Sequence, residues 1–260
     1  MNLVTLTSDF GTSDGYAASL KGVIYSAYDS VHVIDLIHDI EPFDIVQAAL
    51  FLKQAIRHFP NKTVHIIGVD ALYTSDAHLL ILETQQQLLI GPDNGILSLV
   101  SDPKEILTIY RHRKPYTDLE SFLQRVKELI GHLLSEKSLK DLAVPFEDYQ
   151  KRIDLKPTIG PNQIRASVIH IDRFENVILN VDAQLLKEIG HDRALKIFYR
   201  RNDPITQVAQ SYGDVEVGEV TCVINSYDLM EIGINKGKAH SMLGLNKDDT
   251  VIIEFEPNSL

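Results

Sequence analysis

Short apolar runs alternate with amphipathic helical stripes along residues 1 to 133, and that alternation restricts the first half of the chain to a sheet with helices layered on it. "NLVTLTS" reads as the first strand, and Ala17, Leu20, Val23, Ile24 and Ala27 then share one helical face over residues 16 to 28. "VHVIDL" predicts a second strand, residues 45 to 59 a second helix stopped by Pro60, and "TVHIIGVD" a third strand. "LLILETQQQLLIGPDNG" has the form of two strands joined by a polar turn, and "EILTIY" adds another. "TDLE" at 117 to 120 has capping-box spacing, and Leu119, Phe122, Leu123, Val126, Leu129, Ile130 and Leu133 continue it as a helical stripe.

This rhythm stops at "DLKPTIGPNQ", residues 154 to 163, where two prolines and a glycine interrupt the periodicity. Beyond it lie β-rich runs separated by turn residues: "IRASVIHID", "NVILNV", "ALKIFYR", "EVTCVINS" and "DTVIIEF". The expected organisation is an α/β domain over residues 1–155 with a largely parallel sheet, a linker over 156–162, and a small β-barrel or sandwich over 163–260. A chain of 260 residues, 44% hydrophobic, can bury the cores this needs.

Charge and cysteine usage narrow the function classes. A net charge of −11 disfavours a phosphate-tracking surface, and the short "RHRK" at 111 to 114 reads as a solvated loop. No nucleic-acid partner is expected. Cys222, the single cysteine, excludes an intrachain disulfide and a metal site built of cysteines alone, and its setting in "VTCVI" is that of an inert core residue. The N-terminus shows no basic n-region and no apolar run approaches the ~20 residues of a membrane span, so the expectation is a cytoplasmic protein without a membrane partner.

Carboxylates recur where strands end. Asp9 follows the first strand inside "TSDFGTSDGY", Asp39 and Asp44 follow the second, Asp70 ends "IIGVD", and Asp93 lies in "GPDNG". In an open α/β sheet, ligands bind beyond the carboxyl ends of the strands, which makes these loops one candidate crevice. Asp is also a common cap and turn residue, which is the alternative for any one of them. An ionised carboxylate can accept two O–H donors of a ribose diol, and equally can bind a divalent cation. "DFGTSDG" is not a G-x-G-x-x-G turn and no GK[ST] is present, so a nucleoside without phosphates fits better than a dinucleotide.

Six ordered blocks carry a resemblance: "TLTSDFGTSDGYAASLKGVIYS", "VIDLIHDIEPFDIVQAALFL", "FPNKTVHIIGVD", "GPDNGILSLV", "VIHIDRFENVILNV" and "INSYDLMEIGINKGKAHSMLGLNKDD". Together they resemble the S-adenosyl-L-methionine (SAM) hydroxide adenosyltransferase family, related to the fluorinase and chlorinase enzymes. The resemblance implies an N-terminal Rossmann-like α/β sandwich, a C-terminal antiparallel β-barrel-like domain, and a homotrimer with sites between one subunit's N-terminal domain and its neighbour's C-terminal domain. It also implies that water or a halide attacks C5′ of the ribose and expels L-methionine, with SAM as substrate, adenosine as the hydrolytic product, and neither cofactor nor metal.

Residue by residue, the resemblance makes Asp9 a ribose ligand and Asp14 a second polar contact in that loop. Phe43 lines the nucleoside pocket and Asn94 lies in the matching "PDNG" loop. Asp172 corresponds to the carboxylate that meets the methionine ammonium, Asn176 to the adenine-reading asparagine, Phe174 and Tyr212 to aromatics flanking the base, and Ser226 to a contact of the methionine carboxylate. Asp70 matches the first of three water-activating residues, an Asp, an Arg and a His.

The chain departs from that set. No Arg or Lys lies between Asp70 and Asp93, and "KPYTDLESFLQ" holds no histidine. His78 and His112 are the candidate substitutes. Glu175 stands at the glycine of the family's "DRFGN" block, and Tyr227 where halogenating relatives have an arginine. SAM hydrolysis with an atypical water site is the reading, and Asp70 disfavours a halide. The alternatives are a non-catalytic binder of SAM or adenosine and, more remotely, a metal-dependent phosphohydrolase.

Overall fold

A computed structural model describes residues 2–72, 77–152, 156–191, 193–200 and 203–256. The chain divides into two compact units, Met1–Asp154 and Leu155–Leu260. The first contains strands β1 (Leu3–Ser8), β2 (His32–Ile37), β3 (Val64–Gly68), β4 (Leu79–Thr84), β5 (Leu88–Pro92), β6 (Ile106–His112) and β7 (Ala143–Pro145), with helices α1 (Tyr16–Ala27), α2 (Ile45–Ile56), α3 (Ile96–Val100) and α4 (Leu119–Leu134).

Alternation along the strands divides the first unit's apolar side chains between two faces. Val64, Ile66 and Ile81 pack with Leu20 and Ile24 of α1 and with Phe122, Val126 and Leu129 of α4. Ile67, Leu80 and Leu82 pack with Ala48 and Leu52 of α2 and with Ile96 and Leu97 of α3. The result is a helix–sheet–helix sandwich, and most of the strand residues are buried on both sides.

The sheet order is β2-β1-β3-β5-β4-β6-β7. The pairs β2–β1, β1–β3 and β3–β5 are parallel, whereas β5–β4, β4–β6 and β6–β7 are antiparallel. The expected largely parallel sheet is therefore corrected to a mixed one. The cause is the polar turn between β4 and β5, because a connection that short can only return the chain antiparallel.

Three local expectations also change. The cap of α4 is Asp118, one residue beyond the expected threonine, accepting the Ser121 N–H at 2.8 Å while the Ser121 hydroxyl returns to the Asp118 N–H. Helix α2 ends at Ile56, and the Gln87 amide takes the carbonyls of Ile56 and Phe59. "RHRK" is not wholly a solvated loop: His112, at the end of β6, is buried and Arg111 stacks 4.3 Å over the Phe146 ring, leaving Arg113 and Lys114 exposed.

The second unit contains β8 (Thr158–Gly160), β9 (Gln163–Ile171), β10 (Val177–Asp182), β11 (Leu195–Phe198), β12 (Val208–Ala209), β13 (Val220–Ile224), β14 (Leu229–Ile234) and β15 (Thr250–Phe255), with α5 (Ala183–Gly190) and α6 (Ala239–Leu243). Its sheet, ordered β11-β15-β9-β10-β14-β13-β12 with β8 added beside β9, is antiparallel apart from β12–β13. It is curled into a half-barrel with open edges among the described residues. The proposed linker is part of this sheet: Gly160 pairs with Gln163, so the proline-containing segment makes a hairpin. Cys222 is buried in the second core, and burial pushes its thiol pKa up to about 12. No helix of the described residues is long and apolar enough to cross a membrane.

Candidate active site

Because β2, β1, β3 and β5 run parallel as direct neighbours, the loops leaving their carboxyl ends gather along one edge of the sheet. Asp9 belongs to the central loop of this group. Its Oδ2 accepts the backbone N–H of Phe43 at 3.0 Å, from the loop after β2, and that of Asp70 at 3.1 Å, from the loop after β3. Both donors have left-handed backbone, φ 70° at Phe43 and 49° at Asp70. That conformation is unfavourable for residues bearing a Cβ, and the charge-assisted bonds to Asp9 offset the cost.

A fourth loop completes the hold on Asp70. The Asn94 amide, after β5, donates to the carbonyls of Val69 at 3.0 Å and Asp70 at 3.3 Å, and its oxygen accepts the Ile96 N–H at the start of α3. Asp70 is thus tied through both its N–H and its carbonyl, while its carboxylate has no hydrogen bond among the described residues. Burial raises the pKa of that carboxyl, the Asp9 charge raises it further, and Arg152 opposes them. A carboxylate of raised basicity, fixed by its backbone with both oxygens available, is suited to accept a proton.

Behind Asp9, Ser8 Oγ lies 2.7 Å from His38 Nδ1, His38 Nε2 lies 3.1 Å from Asp35, and Lys21 pairs with Asp35 at 2.5 Å. The order of groups is that of a nucleophile triad, but Ser8 is fully buried and its hydroxyl also accepts the Phe10 N–H. The chain acts as a brace for the loop, which is reinforced by the Gly11 N–H donating to the His38 carbonyl.

The other expected first-unit residues are distributed unevenly. Phe43 is 49% exposed at the same edge. Asp14 is exposed, with no side-chain hydrogen bond among the described residues. Asp44 is a helix cap, accepting the N–H groups of Val46 and Gln47, and Asp93 accepts the Gln150 N–H at 2.7 Å. His78 Nδ1 meets the His112 carbonyl at 2.8 Å, and the His112 ring is buried against the Lys114 backbone and Glu128. Neither imidazole contacts Asp70 among the described residues.

In the second unit, Asp172 organises the loop after β9. Its Oδ1 accepts the N–H groups of Phe174 and Asn176, both at 2.8 Å, and its Oδ2 the Asn176 amide at 3.1 Å. Asn176 reaches the Tyr212 hydroxyl at 3.5 Å, and that hydroxyl donates to Glu231, which also accepts the Asn225 amide at 2.8 Å. Burial and the adjacent carboxylates hold the Tyr212 and Tyr227 hydroxyl pKa values up. The close approach requires Gly233, where a Cβ would stand 2.7 Å from the Tyr212 ring and 3.0 Å from Asn176 Oδ1. Phe174 projects from this loop, 74% exposed, and Ser226 lies exposed in the turn between β13 and β14.

Glu175 has φ 65°, the conformation for which glycine is the usual choice. Its carboxylate is held by Lys238 at 2.7 Å and by the backbone and hydroxyl of Ser241, and these partners bring its pKa down to about 2. The substitution therefore replaces a free glycine turn with an anchored one.

Sequence reasoning missed Glu231, Asn225 and Arg152. Glu231 is a buried charge within the apolar strand "LMEIGI", a signal visible once that segment is recognised as β14. Arg152 lies 82 positions after Asp70, and only folding brings its charge to bear on that carboxylate. Among the described residues no three His, Cys, Asp or Glu side chains gather as a metal site.

Residues 4–131 match the model for the SAM hydroxide adenosyltransferase N-terminal domain, and residues 166–252 that for the C-terminal domain. The chain belongs to the SAM hydroxide adenosyltransferase family. It is similar to the (R)-S-adenosyl-L-methionine hydrolase of Methanocaldococcus jannaschii, 29% identical over 269 residues that cover 98% of this chain and 97% of that protein. The hydrolase of the same name from Salinispora tropica is 26% identical, covering 95% of each. The fluorinase of Actinopolyspora mzabensis matches over 62 residues only, 34% identical, covering 24% of this chain and 21% of that enzyme. A conserved protein of Thermotoga maritima, known from a crystal structure, superposes with a TM-score of 0.82 at 25% identity, covering 96% of this chain and 99% of that one.

Asp9→Ala frees two backbone N–H groups in left-handed loops and lowers unfolding stability by about 2 kcal/mol, whereas Asp14→Ala changes it by less than about 0.5 kcal/mol. Urea denaturation of the two variants measures the difference.

Proposed function

We propose that this protein hydrolyses SAM to adenosine and L-methionine, by attack of water at ribose C5′. The observation that carries the reading is the pinned Asp70, a carboxyl of raised pKa at the parallel strand ends in a chain similar over nearly its whole length to SAM hydrolases. In a Rossmann-like use of this edge, the second oxygen of Asp9 accepts a ribose hydroxyl, Phe43 covers the nucleoside, Asn94 holds the loop, and Asp14 supplies an outer polar contact. In the second unit, Asp172 and Ser226 meet the methionine moiety, while Asn176, Phe174 and Tyr212 take the adenine.

The chemistry asks little of the protein beyond positioning. The sulfonium is already a good leaving group, so the rate depends on holding water in line with the C5′–S bond and on accepting its proton. As the new O–C5′ bond forms, the C5′–S electron pair leaves with methionine and the proton goes to Asp70. Arg152 opposes the rise in the Asp70 pKa and so favours the ionised form that accepts the proton. A halide would meet the same negative charge unfavourably. The reaction needs no metal or cofactor, and we place it in the cytoplasm.

We further propose a homotrimer in which each site takes its ribose-binding half from one subunit and its adenine-binding half from another. Co-expressed Asp70→Asn and Asp172→Asn chains, each inactive alone, then recover about a quarter of wild-type activity by random assembly. Sites built within single chains would recover none.

Incubating the protein with SAM in the presence of a chelator should release adenosine and methionine in equal amounts, followed by chromatography, and Asp70→Asn should abolish both. Asp70 must be ionised to accept the proton, so the rate falls as pH drops through its raised pKa. Arg152→Gln removes the cation favouring the ionised form, and the acidic limb of the pH–rate profile should move to higher pH. A limb unmoved by Arg152→Gln would remove Asp70 as the titrating base.

A further inference from the structure

Glu231 is a buried carboxylate within β14, and a chain of hydrogen bonds leads from it through Tyr212 to Asn176, in the loop between β9 and β10. Each link has a fixed sense. Asn225 commits its amide oxygen to the N–H groups of Tyr227, at 2.8 Å, and Leu229, at 3.2 Å, so its amide nitrogen is the group that meets Glu231 Oε2 at 2.8 Å. The other Glu231 oxygen accepts the Tyr212 hydroxyl proton. With that proton committed, the phenol oxygen can only accept, and the group 3.5 Å from it is the Asn176 amide nitrogen. Asp172 Oδ2 takes the same nitrogen at 3.1 Å. An amide turned the other way would set its oxygen against a carboxylate and a phenol lone pair.

Both protons of the Asn176 amide are thus spent on the protein. The Asn176 backbone is spent as well, its N–H on Asp172 Oδ1 and its carbonyl on the Asp172 N–H at 3.0 Å. The side-chain oxygen is the polar atom of Asn176 that has no hydrogen bond among the described residues, and it lies beside Gly233, where a Cβ would stand 3.0 Å from it.

We propose that Glu231 determines base specificity: acting through Tyr212, it fixes the Asn176 amide so that the ligand meets a hydrogen-bond acceptor. The inference rests on the reading above in which Asn176 takes the base. An acceptor there selects a purine with an exocyclic amine and rejects its 6-oxo counterpart, whose carbonyl would face the amide oxygen lone pair to lone pair. Glu231 is a positioning residue, two hydrogen bonds removed from the base.

Glu231→Gln keeps the shape and reverses the relay. The Asn225 amide needs an acceptor, so the introduced amide gives it the oxygen and turns its NH2 to Tyr212, whose proton is displaced toward the Asn176 nitrogen, donor against donor. Calorimetry of the full chain with adenosine and with inosine reads the effect. Wild type should bind adenosine at least about tenfold tighter, and Glu231→Gln should narrow the ratio to about threefold by weakening adenosine alone. Tyr212→Phe keeps the ring and cuts the relay, so Glu231→Gln should change the ratio by less than about twofold in that background. A wild-type ratio in Glu231→Gln overturns the inference, and so does equal weakening of both nucleosides, the mark of a purely structural role. If Glu231→Gln does not fold, Tyr212→Phe must itself narrow the ratio, and a wild-type ratio there overturns the inference. Wild type that binds adenosine with this preference but releases none from SAM overturns the hydrolase reading alone, whereas wild type that binds neither nucleoside overturns both.

Discussion

One oxygen of Asp9 accepts two backbone N–H groups from two different loops, and the geometry of the candidate site depends on that convergence. It is possible because β1 is the central of three parallel strands, so the loop that follows it lies between the loops after β2 and β3. The carboxylate neutralises what would otherwise be two unpaired donors in unfavourable backbone. In doing so it sets the Asp70 loop, leaves the Asp70 side chain unbound, and contributes the nearby negative charge that raises its pKa. One interaction therefore determines both the position and the basicity of the proposed base.

Much of this was legible in the sequence. The period-2 and period-3.6 patterns located β1 to β6 and helices α1, α2 and α4 because each buries a regular face. The aspartates read at the strand ends do lie along one edge of the sheet, beyond the carboxyl ends of its parallel strands. Other features were illegible for identifiable reasons. The sheet's mixed character depends on which neighbour β4 chooses, a long-range pairing that alternation does not encode. Arg152 acts on Asp70 only through the path of the chain across the sheet edge. The resemblance gives Asp9 and Asn94 as ligand contacts, and in the structure each clamps protein backbone, a role that local patterning cannot distinguish from binding.

The second unit makes the same point with a different device. Asp172 accepts three hydrogen bonds within its own loop, and Tyr212 is seated on Gly233 with its hydroxyl fixed by Glu231. The buried glutamate within an apolar strand would be expensive without such partners. It is satisfied by a tyrosine and an asparagine rather than by a cation. Glu175 shows how a position usually given to glycine can be filled when its side chain is anchored.

In the proposed reaction water, directed by Asp70, forms its bond to ribose C5′. Running the reaction in 18O-labelled water and reading both products by mass spectrometry tests it directly. Attack at C5′ places one 18O atom in adenosine, at the 5′ oxygen, and none in methionine. Unlabelled adenosine, or products other than adenosine and methionine, would contradict it.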